Sequence, residues 1–320
     1  MAAKDTVFAS KQERELWHKL KQRWGDRYTL YPNLPFLFAF DTKVLIDMNS
    51  WPEKVQGLTI SDVERNRLKK TSIDYTVCDA ADKPLVCIEF DGLQDGFNVG
   101  TRYRAAEPAD PWRDQITSLK LKVAHGSLFP YFVVASKHFN DISQAVRVCI
   151  VDTLIGSVLA GQALHQAANN FQAKDVGMTD EEFDRLNPGQ QHELIQDWFI
   201  GAEAEADLSH NPVFAAMWDV WDELRRRLGS VYHHTRFVYV PEIDDAVTPL
   251  ERAKLMDSAI LVGSECTVTT SQFGEVKRNI LLPNFRSPGY SPYGFLDELA
   301  QLVALAAVRA LADARDRRNT

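Results

Sequence analysis

The sequence predicts an α/β protein in which a mixed sheet is flanked by helices. The first observation is the order of its elements, because amphipathic helical stretches and short apolar runs follow one another as helix, strand, strand, helix, strand. The second is composition, since 45% hydrophobic and 25% charged residues are ordinary for a globular domain. The length of 320 residues suffices for two domains, or for one domain with large insertions.

The first elements are a helix and a hairpin. Residues 10–24 (SKQERELWHKLKQRW) have apolar side chains at helical spacing, and Ser10 with Glu13 three residues later has the pattern of a capping box. Gly25 is expected to end this helix, and a strand with an extended, proline-containing segment follows over 27–40. Residues 69–97 then form two apolar runs around the turn ADKP, which predicts a hairpin.

The rest of the chain continues this alternation around two less regular stretches. Residues 41–68 are interpreted as an irregular, partly helical insertion, and residues 141–210 as mainly helical with a break at Pro188-Gly189. We therefore predict an α/β domain over 1–140, an acidic helical connector over 141–212 and a C-terminal α/β region over 213–320. Further helices are expected at about 111–125, 152–171, 213–228, 248–257 and 293–315, and strands at 129–136, 235–240, 258–269 and 276–283.

The C-terminal region contains a short echo of the first helix. Aligning residues 17–28 (WHKLKQRWGDRY) with residues 221–232 (WDELRRRLGSVY) gives five identities in twelve positions. The match has two explanations: a decayed duplication, which would make the C-terminal region a degenerate repeat, or the chance similarity of two helix–Gly–strand units. The Ala/Leu-rich helix expected at 293–315 is also a candidate surface for a homodimer.

Charge is unevenly distributed along the chain. The net charge is −8, yet residues 1–70 carry 13 basic against 9 acidic side chains, whereas residues 152–210 carry 11 acidic side chains against two basic ones. The overall acidity therefore does not exclude a polyanionic substrate. With no apolar run of bilayer length, no apolar signal-peptide core and four cysteines without metal or redox spacing, we expect a cytoplasmic protein with reduced thiols and no membrane partner.

The hairpin segment SIDYTVCDAADKPLVCIEFDG contains carboxylates inside its apolar runs. Asp74 lies on the first strand, and Glu89 and Asp91, two residues apart at the end of the second, are expected to share one face. Carboxylates that converge across a strand pair repel one another and raise one another's pKa values. A hard cation such as Mg²⁺ would remove this conflict. The alternative is a polar, exposed hairpin face that needs no metal.

The same residues resemble a known family. The segments ERELWHKL, YTLYPNLPF, SIDYTVCD and PLVCIEFDG are similar to the PD-(D/E)XK, or restriction-endonuclease-like, nuclease superfamily, in particular to bacterial domains akin to very-short-patch-repair endonucleases. The resemblance covers roughly residues 9–136. It implies cleavage of DNA dependent on Mg²⁺ or Mn²⁺, with Asp74 and Glu89 as metal ligands and Asp91 assisting. Restriction, repair and phage defence are all compatible contexts.

Two positions depart from the pattern of the family. The usual lysine after Glu-x is Asp91, and Asp95 stands where this branch often has a histidine. We expect the missing positive charge to come from the next helix, where Lys120 and Lys122 are candidates to stabilise developing negative charge, although each also fits a solvated helix face. Glu13 either orients the site from the first helix or only caps that helix.

Other interpretations remain open at this point. Asp257 with Glu275-Val276-Lys277 is a second match to the superfamily pattern, read either as a degenerate second lobe or as coincidence. The loss of histidine at Asp95 and the acidic middle segment favour a catalytically inactive, nuclease-like module that binds nucleic acid or a partner protein. A structural hairpin in an unrelated α/β enzyme is the third alternative.

Overall fold

A computed structural model describes residues 8, 10–40, 60–91, 97–99, 102–104, 111–143, 146–240, 248, 251, 261–285, 287, 288, 290 and 295–319. The chain divides into two compact units. Unit 1 comprises Met1–Asn140, Phe237–Gly263 and Leu281–Gly294, and unit 2 comprises Asp141–Arg236, Ser264–Ile280 and Phe295–Thr320. The predicted boundary after residue 140 falls where the first segment of unit 1 ends, and the predicted boundary after residue 212 falls inside unit 2.

Unit 1 contains a mixed four-stranded sheet, which confirms the predicted α/β class. Its strands β1 (Thr29–Pro35), β2 (Ser72–Cys78), β3 (Pro84–Asp91) and β6 (Tyr131–Ala135) are adjacent in that order. The first three pair antiparallel and β6 pairs parallel with β3. A small antiparallel pair, β4 (Phe97–Val99) and β5 (Arg102–Arg104), comes between β3 and β6.

The helices of unit 1 are α1 (Lys11–Trp24), α2 (Phe36–Ala39), α3 (Asp62–Leu68) and α4 (Pro111–Gly126). The prediction for α1 is confirmed: its apolar stripe is buried, and the Ser10 side chain accepts the backbone N–H of Glu13 at 3.1 Å. Helix α4 lies in the crossover between β3 and β6, because two parallel neighbours cannot be joined by a tight turn.

One hydrophobic core lies between α4 and the sheet. Leu119, Val123 and Ala124 of α4 pack in a buried cluster with Ile73 of β2, Cys87 of β3 and residues of β6. Helix α3 contributes Leu68 to this cluster and also contacts α4. The position of α4 is therefore fixed by apolar packing, and Lys120, which shares a helix face with Val123 and Ala124, is directed toward Glu89 of the hairpin.

The remaining elements are mainly helical. They are β7 (Asp141–Ser143), β8 (Val146–Cys149), α5 (Ile150–Asn169), α6 (Asp180–Asp184), α7 (Pro188–His210), α8 (Pro212–Leu228), β9 (Val231–Val240), β10 (Leu261–Thr270), β11 (Gly274–Pro283) and α9 (Leu296–Asn319). The segment 141–210, predicted to be mainly helical, instead begins with the antiparallel strand pair β7–β8. The predicted helix 248–257 lies outside the described residues except at 248 and 251.

The order of the C-terminal elements extends the echo seen in the sequence. Helix α8 is followed by β9, β10 and β11, adjacent in that order, just as α1 precedes β1, β2 and β3. The two glycines aligned in the sequence differ, since Gly25 is right-handed at φ −66° and Gly229 has φ +81°. The shared order of one helix and three adjacent strands therefore agrees with a duplication, although the backbone conformations of the two aligned glycines have diverged.

The apolar face of α9 is covered within its own unit. Leu299, Leu302, Leu305 and Val308 are buried, and α9 packs against α8. This face is therefore not the exposed dimer surface that the sequence suggested. In the described residues, no helix combines the length and the apolar character that crossing a bilayer requires. All four cysteines are free and buried.

An acidic group in unit 2 gives the first testable prediction. The Asn211 side chain donates to Glu298 Oε2 at 2.9 Å, and burial together with the charge of Asp207 raises the pKa of Glu298 to about 8. Because the folded pKa exceeds the unfolded value of about 4.3, this carboxyl stabilises less and less as pH rises from about 4 to 8. Glu298→Gln is thus expected to raise the free energy of unfolding by on the order of 2 kcal/mol above pH 8 and little near pH 4.

Chemical denaturation at pH 4.5 and pH 9 measures this difference. Glu193→Gln, at an exposed position on α7, is the matched control and is expected to stay within about 0.5 kcal/mol of the wild type at both pH values. Equal stability of Glu298→Gln and the wild type at pH 9 would contradict the expected cost of the buried charge.

Candidate active site

Asp74 and Glu89 face each other where β2 and β3 separate. The pairing of these strands ends at Tyr75↔Ile88, and continuing that register places Asp74 opposite Glu89. Beyond this point the backbone N–H of Phe90 donates to Asp74 Oδ2 at 2.8 Å. The Asp74 side chain thus takes the place of the next backbone acceptor in the pairing of the two strands. The structure therefore brings together the two carboxylates on which the predicted metal site depends.

The pKa of Asp74 shows the electrostatic strain of this arrangement. Burial, and next the neighbouring charge of Glu89, raise the pKa of Asp74 to about 8. The Phe90 N–H and the charge of Lys120 act in the opposite direction but do not cancel these effects. An uncompensated carboxylate here is costly, so the site favours either a proton or a cation on Asp74.

Lys120 supplies the positive charge that the sequence pattern lacked at Asp91. Its Nζ donates to Glu89 Oε1 at 2.6 Å and to the carbonyl oxygen of Ser72 at 2.6 Å, and only 5% of its side chain is exposed. Lys122 stands two positions later, about 200° around the helix. In the described part of the chain it forms no hydrogen bond or ion pair with the hairpin. The pKa of Glu64 is lowered chiefly by hydrogen bonds with Ser61, and the charge of Lys122 adds a smaller effect in the same direction. The structure thus separates the two lysine candidates.

Asp91 has a different partner from the one expected. Its carboxylate, 1% exposed, accepts from Arg113 Nη2 at 3.0 Å. Arg113 and Lys120 are seven residues apart on α4 and share a face, so each meets one of the two carboxylates that share a face of β3. No group of three or more His, Cys, Asp or Glu side chains suited to a metal is found among the described residues. The expected convergence of three carboxylates is therefore corrected to the pair Asp74 and Glu89.

Glu13 serves the helix cap and also lies near the pair. Its backbone N–H is capped by Ser10, and its carbonyl oxygen accepts from the Tyr75 hydroxyl at 2.9 Å, which ties α1 to β2. The charge of Glu13 contributes to raising the pKa of Asp74. The half of the capping box that the Ser10 side chain forms is thus present, and the charge of Glu13 acts on Asp74 from α1.

Tyr131 is a site residue that the sequence analysis missed. Its hydroxyl donates to Glu89 Oε2 at 2.6 Å, and burial with the neighbouring Glu89 raises the pKa of Tyr131 well above its usual value. Val133, two residues later on β6, pairs with Glu89, so Tyr131 shares the face of Glu89. The available signal was a hydroxyl inside the apolar run FPYFVVAS, because a buried tyrosine hydroxyl needs a hydrogen-bond partner.

Removing this hydroxyl is expected to weaken the fold. Tyr131→Phe leaves Glu89 Oε2 without its donor and is predicted to lower the free energy of unfolding by about 2 kcal/mol, as for a hydrogen bond to a charged group. Urea denaturation is the measurement. Tyr31→Phe, which removes an exposed hydroxyl bonded to Asp82 at 2.9 Å, is the control and should cost no more than about 0.5 kcal/mol. Equal effects of the two substitutions would contradict the assignment.

A cavity of about 640 Å³ opens beside the Glu89–Lys120 pair. Helices α3 and α4 form much of its wall, and β3 and β6 contribute Glu89, Phe90 and Val133. Among the described residues, four basic side chains and one acidic side chain, Glu89, line the cavity. The basic side chains are Arg67, Lys70, Arg113 and Lys120. A ligand with negative charge is therefore the one that this cavity favours.

The second pattern match does not form a comparable site in the described residues. Glu275 and Lys277 lie on β11 with exposed side chains, on either side of the buried Val276. Asp257 lies outside the described residues, as does Asp95. A degenerate second lobe and coincidence therefore both stay predictions for this match.

Comparison with known proteins adds no assignment. Neither protein-family models, nor curated proteins, nor solved structures give a match to this chain.

Proposed function

We propose that the protein is a nuclease dependent on Mg²⁺ or Mn²⁺ that hydrolyses phosphodiester bonds of DNA. The observation that carries this proposal is the partly buried Asp74 opposite Glu89, with Lys120 bonded to Glu89 at the wall of a basic cavity. Oxygen ligands from one or two carboxylates are what Mg²⁺ takes from proteins. Asp74 fits such an ion well, because a cation would remove the electrostatic cost that raises its pKa.

Four side chains have distinct roles in the proposed hydrolysis. Asp74 and Glu89 would hold the ion, which when bound activates a water and neutralises charge on the phosphodiester. Lys120 is held in place by the Ser72 carbonyl and presents its ammonium beside Glu89, where it would stabilise negative charge that develops on the phosphate. Tyr131 orients Glu89 through its second oxygen.

The resemblance to the PD-(D/E)XK superfamily supports the same proposal. It implies an aspartate on the first hairpin strand, a glutamate on the second and a nearby lysine. In this chain Asp74, Glu89 and Lys120 have those positions, with the lysine on α4. The resemblance and the geometry thus favour the same three residues.

A second candidate function is a catalytically inactive module that binds nucleic acid through the same cavity. The observation in its favour is that both oxygens of Glu89 already accept hydrogen bonds, one from Lys120 and one from Tyr131, each at 2.6 Å. A cation would then have to displace or share these donors. The basic cavity would bind phosphates whether or not hydrolysis follows.

The test is a cleavage assay on the purified chain with end-labelled single-stranded and duplex DNA. Under the proposal, cleavage requires Mg²⁺ or Mn²⁺ and stops with EDTA. Calorimetric titration of Mn²⁺ in the presence of DNA discriminates the second candidate. DNA binding without Mn²⁺ binding above background, together with no cleavage of either DNA, would reject the nuclease in favour of the binding module.

A further inference from the structure

Trp112 stands at the wall of the cavity and is not used by the proposed chemistry. It lies in the first turn of α4 and is 55% exposed, which is unusual for so large an apolar side chain. The guanidinium of Arg67, from α3, lies over the indole with its Cζ 5.1 Å from the ring centroid. The guanidinium therefore lies against one face of the indole at the cavity wall, and the exposed part of the ring is accessible to a ligand.

The charges around this surface are not all neutralised. Lys120 and Arg113 are paired with Glu89 and Asp91. By contrast, no carboxylate of the described residues lies within salt-bridge distance of Arg67 or Lys70, although both line the cavity. An exposed lysine and a half-buried arginine beside an aromatic ring are what a phosphate chain with attached bases requires of its binding site.

The dimensions favour one nucleotide strand over a double helix. The cavity, about 640 Å³, lies within the usual range for sites that enclose small ligands. In a duplex the bases are stacked on their neighbours, so an indole can stack on a base only after that base has left the stack. A strand that is already unpaired avoids this cost.

We infer that Trp112 and Arg67 form a stacking subsite for an unpaired nucleotide, so that the protein acts on single-stranded or locally unpaired DNA. This inference rests on the proposed function for its catalytic consequence. In the bound strand, Trp112 stacks on a base, Arg67 and Lys70 lie along the phosphates, and a neighbouring phosphodiester extends toward Glu89 and Lys120. Base stacking tolerates any sequence, so the subsite selects strandedness rather than sequence.

The experiment measures binding without cleavage. Fluorescence anisotropy in EDTA compares a short labelled DNA strand, an RNA strand of the same sequence and the corresponding blunt DNA duplex, for the wild type, Trp112→Ala, Trp112→Phe and Trp218→Ala. Trp218, 45% exposed on α8 in unit 2, is the matched control. Melting temperatures establish that each variant is folded.

The expected result is that the DNA strand binds the wild type at least about 10-fold more tightly than the duplex. Trp112→Ala should weaken strand binding by about 10-fold while Trp112→Phe retains most of it, as expected for stacking on a base. Trp218→Ala should bind as the wild type does. Duplex binding as tight as strand binding, tighter binding of RNA than of the DNA strand, or strand binding unaffected by Trp112→Ala would each overturn the inference.

Failure of the inference and failure of the proposed function give different results. Metal-dependent cleavage that is insensitive to Trp112→Ala would remove the stacking subsite but leave the nuclease. Strand binding that depends on Trp112 with no cleavage in Mg²⁺ or Mn²⁺ would support the subsite and reject hydrolysis.

Discussion

Asp74→Asn is expected to abolish metal-dependent cleavage and, in the absence of metal, to stabilise the fold at alkaline pH. The amide cannot serve as an anionic ligand, so the cleavage rate should fall by about 1,000-fold or more, comparable to the loss of one preorganised charged group. The amide oxygen can still accept the Phe90 N–H that the carboxylate accepts at 2.8 Å. The fold therefore keeps its hydrogen bond and loses only the charge.

The sign of the stability change follows from the direction of the pKa shift. The folded pKa of Asp74, about 8, lies above the unfolded value of about 3.9, so the folded state holds more protons between these pH values. The wild type loses stability as pH rises through this window, and the asparagine variant does not. We expect Asp74→Asn to be more stable by on the order of 2 kcal/mol at pH 9 in EDTA, with little difference near pH 4.

Urea denaturation at several pH values, with cleavage assays on the same preparations, measures both effects. Asp79→Asn is the matched control in the same hairpin, because among the described residues the Asp79 side chain accepts just the local backbone N–H groups of Ala81 and Lys83. It should retain cleavage. Wild-type activity in Asp74→Asn, or a loss of stability at pH 9, would contradict the role assigned to this carboxyl.

Lys120→Met is expected to have the largest destabilising effect of the site substitutions. It leaves Glu89, 16% exposed, without its cation, and breaking one side of a largely buried ion pair costs about 3–5 kcal/mol. Cleavage should fall by about 100-fold or more in the protein that remains folded, because the ammonium beside the phosphate is lost. Denaturation and single-turnover cleavage at low temperature are the measurements.

Two further variants separate the ion pair from a general effect on α4. Lys122→Met, on the same helix but without a bond to the hairpin, should change stability by no more than about 0.5 kcal/mol. In the double variant Lys120→Met/Glu89→Gln, removal of the unpaired charge should recover on the order of 2 kcal/mol relative to the sum of the single effects. Strictly additive effects would show that Lys120 and Glu89 do not act as a pair.

The parts of the site that could be predicted are those set by local spacing. Asp74 and Glu89 meet because a hairpin with a short turn fixes which residues are opposite each other. The helix expected at about 111–125 likewise included the compensating lysine among its candidates. Choosing Lys120 rather than Lys122 required the direction in which α4 packs on the sheet, and the packing of Leu119, Val123 and Ala124 sets that direction.

The partners of Glu89 and Asp91 could not be derived from local spacing, because they depend on contacts distant in sequence. Tyr131 reaches Glu89 because β6 returns parallel to β3 after a crossover, and Arg113 meets Asp91 because α4 runs back over the sheet. Within the fold, residues 141–149 were missed for a different reason. Their two short strands are stabilised by pairing with each other, which helical patterning around them hides.

The location of the cation is the most direct test of the central claim. Crystals of the protein soaked in Mn²⁺ and measured for anomalous scattering are expected to show one ion within about 2.5 Å of an oxygen of Asp74 and of an oxygen of Glu89. In the same experiment, crystals of Asp74→Asn should lack that peak. An ion bound elsewhere, or no ion at these carboxylates with the Glu89–Lys120 pair intact, would contradict the account.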